Sequence, residues 1–197
     1  MNEATDRVLS NPLSAEKRAE IAISNPSDTD AARAFVASIR NQEGIFFAQE
    51  DTLFDYKREF PHSISDDYFI AICRLSFAFY NSFGGIIIVG VHDETRRGGY
   101  NKTIVNIERL NTRLRELSGH SINIKHIPME DEGVELLLVP KRPANRPPAV
   151  LLKDLGKYEE GTAWLRRGHE VLEAVSRDVS FLFAPRMGVS LRRRPSD

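Results

Sequence analysis

The stretch GGIIIVGV at residues 84–91 places the tightest constraint on the fold. Ile86, Ile87, Ile88 and Val89 are β-branched and favour an extended chain. Successive side chains of a strand point to opposite faces, so both faces of this strand need cover. A continuous apolar run of this kind belongs at the centre of a sheet held between two layers. The segment before it, YFIAICRLSFAFY, is apolar around most of its girth and predicts a buried central helix over 66–81. With 197 residues, 41% of them hydrophobic, the chain can form one domain with a real core.

The remaining elements follow from spacing and punctuation. Two helices are expected at about 14–24 and 28–41, the second begun by a Ser/Asp/Thr cluster suited to capping, and both read as an appendage to the domain. A strand is expected at 52–60. Ile107, Leu110, Leu114 and Leu117 recur at helical spacing within a helix over 102–118. SINIKHIPM and GVELLLVPK read as paired strands joined by an acidic turn, PKRPANRPP as a stiff loop, and GTAWLRRG as a further strand followed by one or two closing helices. The expected architecture is therefore α+β, a mixed sheet packed with helices. Its divisions are an N-terminal helical extension at 1–45, the domain at 46–185 and a basic tail at 186–197.

Composition excludes several classes. The net charge of −1 supplies no global field, so an anionic partner must meet a local basic patch. A lone Cys73 rules out an internal disulfide and a Cys-rich zinc site, which suits a cytoplasmic location. The charged N-terminus lacks the pattern of a signal peptide, and no run is long and apolar enough to suggest a membrane span. His62, His92, His120, His126 and His169 show no ligand spacing, and no Gly-Lys-Ser/Thr phosphate loop is present.

The charged residues of EDTLFDYKREF, at 50–60, carry the chemical interest. In an extended chain Asp55 and Lys57 share one face while Phe54, Tyr56 and Phe60 fall on the other. A D-x-K pair can hold a divalent cation and meet a phosphate, although charged pairs are also common on open strand faces. Asp93, just past the apolar strand, and Glu50, if the chain bends, would complete a three-carboxylate site for Mg²⁺ or Mn²⁺. Lys57, Arg96, Arg97, Lys141, Arg142, Arg166 and Arg167 could track a nucleic-acid backbone if they converge, as could Arg146. Trp164 suits either a core position or base stacking. Asn81, Gly84, Gly85 and Gly90 are assigned to shape, with Asn81 capping a helix end.

Glu50, Asp55 and Lys57, followed by AFYNSFGGIIIVGVHD, resemble the AlbA-type domain of the Schlafen family. Ala78, Phe79, Asn81, Gly84, Gly85, Gly90, Val91 and Asp93 stand at that family's motif positions, and RPPAVLL and TAWLRRGHEVLEA are similar to its closing section. The resemblance spans roughly 48–176. It implies a nucleic-acid-binding fold and, in the Schlafen nucleases, a metal-dependent endoribonuclease acting on structured RNA such as tRNA. Their catalytic carboxylates match Glu50, Asp55 and Asp93, with Asp55 standing where Glu is usual, and Lys57 would contact the phosphate. Many bacterial members serve as binding or regulatory modules, which is the alternative. RNA or DNA is thus the expected partner. Eukaryotic Schlafen cores join two lobes, so a homodimer is expected of this single one.

Overall fold

In the computed structural model, residues 13–63 and 67–183 are described. The basic tail at 186–197 lies outside them. The chain runs α1 (Ala15–Ser24), α2 (Thr29–Ile39), β1 (Phe54–Lys57), α3 (Asp67–Asn81), β2 (Gly85–Val89), α4 (Ile107–Ser118), β3 (Lys125–Met129), β4 (Val134–Val139), β5 (Trp164–Arg167), β6 (Glu170–Glu173) and α5 (Val179–Phe183). Short polar side chains begin the helices. Ser14 Oγ accepts from Lys17 N, Asp28 Oδ1 from Asp30 N and Ala31 N, and Asn106 Oδ1 from Arg109 N. The last of these starts α4 at Ile107, five residues later than the spacing predicts from its apolar stripe.

Four strands form a mixed sheet in the order β1-β2-β4-β3, with β1 parallel to β2 and the other pairs antiparallel. The fold is α+β. β2 is buried along its whole length, as its composition demands. Ile87 and Val89, with Leu137 and Val139, face α3, α4 and Trp164. Ile86 and Ile88, with Leu136 and Leu138, face the other way, into a core that also holds Phe35, Val36 and Ile39 of α2 and Ala19, Ala22 and Ile23 of α1. The two N-terminal helices extend the domain in sequence, but in space they are one of its layers and not an appendage.

The end of the chain departs from expectation. Instead of a helix after β5, the chain reverses at Gly168 (φ +56°) and His169, so that β6 pairs back on β5 with Arg167 opposite Glu170. A two-residue turn entered through a positive φ favours a hairpin over a helix start. Among the described residues helix follows as a 3₁₀ turn at Ser176–Asp178 and the short α5. Among the described residues no helix is long and apolar enough to cross a membrane.

Candidate functional site

β1 is an edge strand, and its outward backbone groups need partners. The inward edge is satisfied by β2: Leu53 O accepts from Ile86 N, and Lys57 O from Gly90 N. On the outward edge, side chains take over. Glu50 Oε1 accepts from Tyr56 N at 3.0 Å, Lys57 Nζ donates to Tyr56 O at 3.0 Å, and Arg166 Nη2 donates to Phe54 O at 3.2 Å. Arg166 also donates from Nε and Nη2 to Asp51 O.

Asp55 points to the α3 side of the sheet, as its position beside Ile87 requires. There it is buried, with 4% of its surface exposed. Arg166 Nη1 donates to its Oδ2 at 2.8 Å, and Lys57 Nζ bonds its Oδ1. Arg166 is itself held from behind, since its backbone N–H donates to Ser82 Oγ at 2.9 Å and its guanidinium lies 5.2 Å from the centre of the Phe79 ring. The expected pairing of Asp55 with Lys57 is present, and a third member, Arg166, completes it from a segment 111 residues away.

Asp93 is exposed beyond the end of β2. It borders a cleft of about 340 Å³ together with Lys57, Tyr56, Arg58, Asp67 and Tyr68. Lys57 and Asp93 therefore meet at one cleft, as their sequence positions suggest, while Asp55 stays behind Lys57 and Glu50 lies along the strand edge. Neighbouring His92 does not act into this cleft through Nδ1, which accepts from Glu94 N and Thr95 N and so fixes the turn.

Whether Mg²⁺ or Mn²⁺ fits depends on free carboxylate oxygens. Both oxygens of Asp55 carry bonds from cationic side chains, and Glu50 Oε1 carries the Tyr56 amide. Among the described residues no group of three or more His, Cys, Asp or Glu side chains could hold a metal ion. Among the described residues Glu50, Asp55 and Asp93 do not form such a group.

The expected backbone-tracking residues separate into different roles. Arg96, at φ +57°, donates to Phe46 O and Ala48 O and lies 4.0 Å from the centre of the Tyr56 ring, which fixes it in the wall of the N-terminal segment. Burial pushes the Tyr56 phenol above its ordinary value, opposed by the Arg96 charge. Arg142 is buried and donates to Arg146 O and Leu182 O, both at 2.6 Å. Arg166 is committed to Asp55, and Arg167 pairs with Asp178. Arg97 is exposed and donates to Glu43 O at 3.2 Å. Lys141 is exposed but sits at the opposite end of the sheet, past Val139, whose partner Gly85 begins β2.

That opposite end adds Lys125 and His120, which the sequence did not group with Lys141 and Arg146. Lys125, Lys141, Arg146 and His120 border one cleft of about 520 Å³. Antiparallel register would have joined two of them, since Lys125 lies opposite Leu138, three residues before Lys141.

The shape residues act at close contacts. A Cβ on Gly85 would sit 2.2 Å from the Phe79 ring, Gly84 turns at φ +79°, and Gly90 turns at φ +108° against Gly133 O. Asn81 is not chiefly a helix cap. Its Nδ2 donates to Ala149 O and Trp164 O while its Oδ1 accepts from Ala149 N, clamping the end of α3 to two distant segments. Trp164 is fully buried, stacked on Phe77, and serves the core.

The Schlafen, AlbA_2 family matches residues 50–175, well over half of the chain. The chain belongs to the Schlafen AlbA_2 family. The AlbA_2 match takes in β1 through β6, including Glu50, the Asp55–Arg166 pair and Asp93, and it begins after α1 and α2. This is a nucleic-acid-associated family. No curated protein matches the chain. Among solved structures it is similar to the DIP2311 protein from Corynebacterium diphtheriae, with 16% identity, a TM-score of 0.43 and coverage of 62% of this chain. The match spans 22% of that protein's length.

Proposed function

We propose that this AlbA_2 domain is a nucleic-acid-binding module that acts by binding rather than by metal-dependent cutting of RNA. The observation that carries this reading is the state of Asp55, buried with its two oxygens bonded to Arg166 and Lys57. A carboxylate held this way contributes to the fold, and drawing it onto a cation would compete with a buried ion pair whose loss is costly. Exposed cations at both ends of the sheet supply what backbone contact needs, since phosphate binding is a matter of local positive charge. Asp93 and Lys57 still share a cleft, and this supports the nuclease as the competing reading.

The deciding experiment uses labelled tRNA, single-stranded RNA and duplex DNA, followed by fluorescence anisotropy and by gel, with Mn²⁺, Mg²⁺ or EDTA and alongside Asp93→Ala. Salt-sensitive binding with intact polymers in every metal condition is the expected result. Fragments that need metal and vanish in Asp93→Ala would establish a nuclease instead. Intact polymers that never bind would sink both readings in favour of a protein partner. Sedimentation of the free and bound protein tests the expected homodimer in the same samples.

A further inference from the structure

Resting on the nucleic-acid-binding reading, we propose that the phosphate backbone is seated at the end of the sheet opposite Asp93, in the cleft bordered by Lys125, Lys141 and Arg146. These side chains come from two separate segments: Lys125 is the first residue of β3, and Lys141 and Arg146 lie in the proline-rich loop that leaves β4. All three are exposed, and among the described residues no carboxylate lines the cleft they share with His120. Among the described residues none of the three is held in an ion pair, in contrast to Lys57, Arg166 and Arg167, which are each committed to an aspartate.

The backbone carrying these charges is fixed before any ligand arrives. Arg142 reaches under the proline-rich loop to bond Arg146 O and Leu182 O, and its own N–H donates to Tyr80 O at 3.0 Å. Across the cleft, Asn111 brackets Ile124 by donating to its carbonyl and accepting its N–H, and Ser118 Oγ accepts from His120 N. Only the cationic side chains then lose freedom on binding, which lowers the ordering cost.

Both ends of the sheet carry exposed cations, but the Asp93 end also carries exposed acids. Glu130, Asp131 and Glu132 form the turn between β3 and β4 at the Asp93 end, where Asp67 also borders the cleft. A strand rises about 3.4 Å per residue, so the six residues of β4 separate the ends by roughly 17 Å, more than the Debye length of about 8–10 Å. The acidic turn therefore repels a polyanion locally and leaves the Lys125 end attractive. A larger neighbouring cleft of about 900 Å³ shares Lys141 but carries Glu16 and Glu20, which directs a phosphate chain toward Lys125 and Arg146.

Charge reversal in the full-length protein tests this. K125E/K141E/R146E alters exposed side chains only, so its thermal melt should match wild type. The anisotropy titration should then weaken by about tenfold or more for every polymer wild type binds. The slope of log K against log salt should flatten by about 2–3, one phosphate contact for each charge lost. Arg58→Glu, at the Asp93 cleft, should shift affinity less than about twofold under the same rule. Wild-type affinity in the triple variant, or a loss confined to Arg58→Glu, overturns the proposed seat while leaving nucleic-acid binding intact. Absence of binding by wild type itself would instead bring down the reading on which the seat depends.

Discussion

Arg166 is the residue whose role is most dependent on its surroundings. Its side chain is 1% exposed and that of Asp55 6%, so each buried charge depends on the other for compensation. Removing one partner of such a pair strands a buried ion, so Arg166→Ala should cost about 3–5 kcal/mol. The double variant Asp55→Leu with Arg166→Met should recover most of that loss, because neither buried charge of the pair remains and the Lys57 ammonium, 24% exposed, can turn to water. Urea denaturation of the three proteins measures this. Equal losses in the single and double variants would show that the pair is not a coupled unit. Weak acids inside the protein give a second expectation. Burial raises the Cys73 thiol to about 12, opposed by Arg113, and burial likewise raises the Tyr56 and Tyr80 phenols. A folded-state pKa above the unfolded one favours the folded protein below the unfolded value and loses that advantage as pH rises. Stability should therefore be level near neutrality and fall as pH climbs above the ordinary thiol value of 9.0. Urea midpoints at pH 8 and 10 would check it, and a flat profile would contradict it.

β1 shows how a strand with charged residues can look catalytic while securing the fold. Its alternation is readable for Phe54 and Tyr56, which pack on the α1 and α2 side, and for Asp55, which faces the other way, but the strand ends at Lys57 and not at 60, and Phe60 packs instead on the α3 side. The sequence could not show that Arg166 would come from β5 to meet Asp55, because periodicity orders neighbours along one element and is silent about contacts 111 residues apart. Nor could it show that Glu50 would close an outward amide. Glu50→Ala should leave Tyr56 N–H without its acceptor, at a cost of about 1 kcal/mol, and hydrogen exchange at Tyr56 should speed up selectively. Glu50→Gln keeps an acceptor oxygen and should exchange nearly as slowly as wild type. Unchanged protection in Glu50→Ala would free Glu50 for another role. The β5–β6 hairpin was missed for a related reason. HEVLEA has the composition of a helix, but Gly168 at positive φ and the pairing of Leu165 with Leu172 override that preference.

The apolar run of β2 correctly required two covering layers, and the buried α3 was readable as one of them. The second layer is harder to read because α1 and α2 are short and the buried stripe of α1 is Ala19, Ala22 and Ile23, leaving Phe35, Val36 and Ile39 of α2 as most of the larger anchors. Small side chains give a weak periodic signal yet allow close approach to a sheet. A chain begun at residue 46, where the sequence suggests the domain starts, should fail to fold as a soluble monomer. It would bare Phe54, Tyr56, Ile86, Ile88, Leu136 and Leu138 on one face. Burying a large apolar side chain contributes roughly 1.5–3 kcal/mol, so losing cover for several of them rivals the about 5–15 kcal/mol that holds a whole domain folded. Far-UV circular dichroism and size-exclusion chromatography of that fragment beside the full chain would decide it. A folded, monodisperse fragment would mean that the helices only decorate the sheet. Aggregation or a loss of cooperative unfolding would mean that the working domain is larger than the AlbA_2 match at 50–175 and that α1 and α2 must accompany any binding measurement.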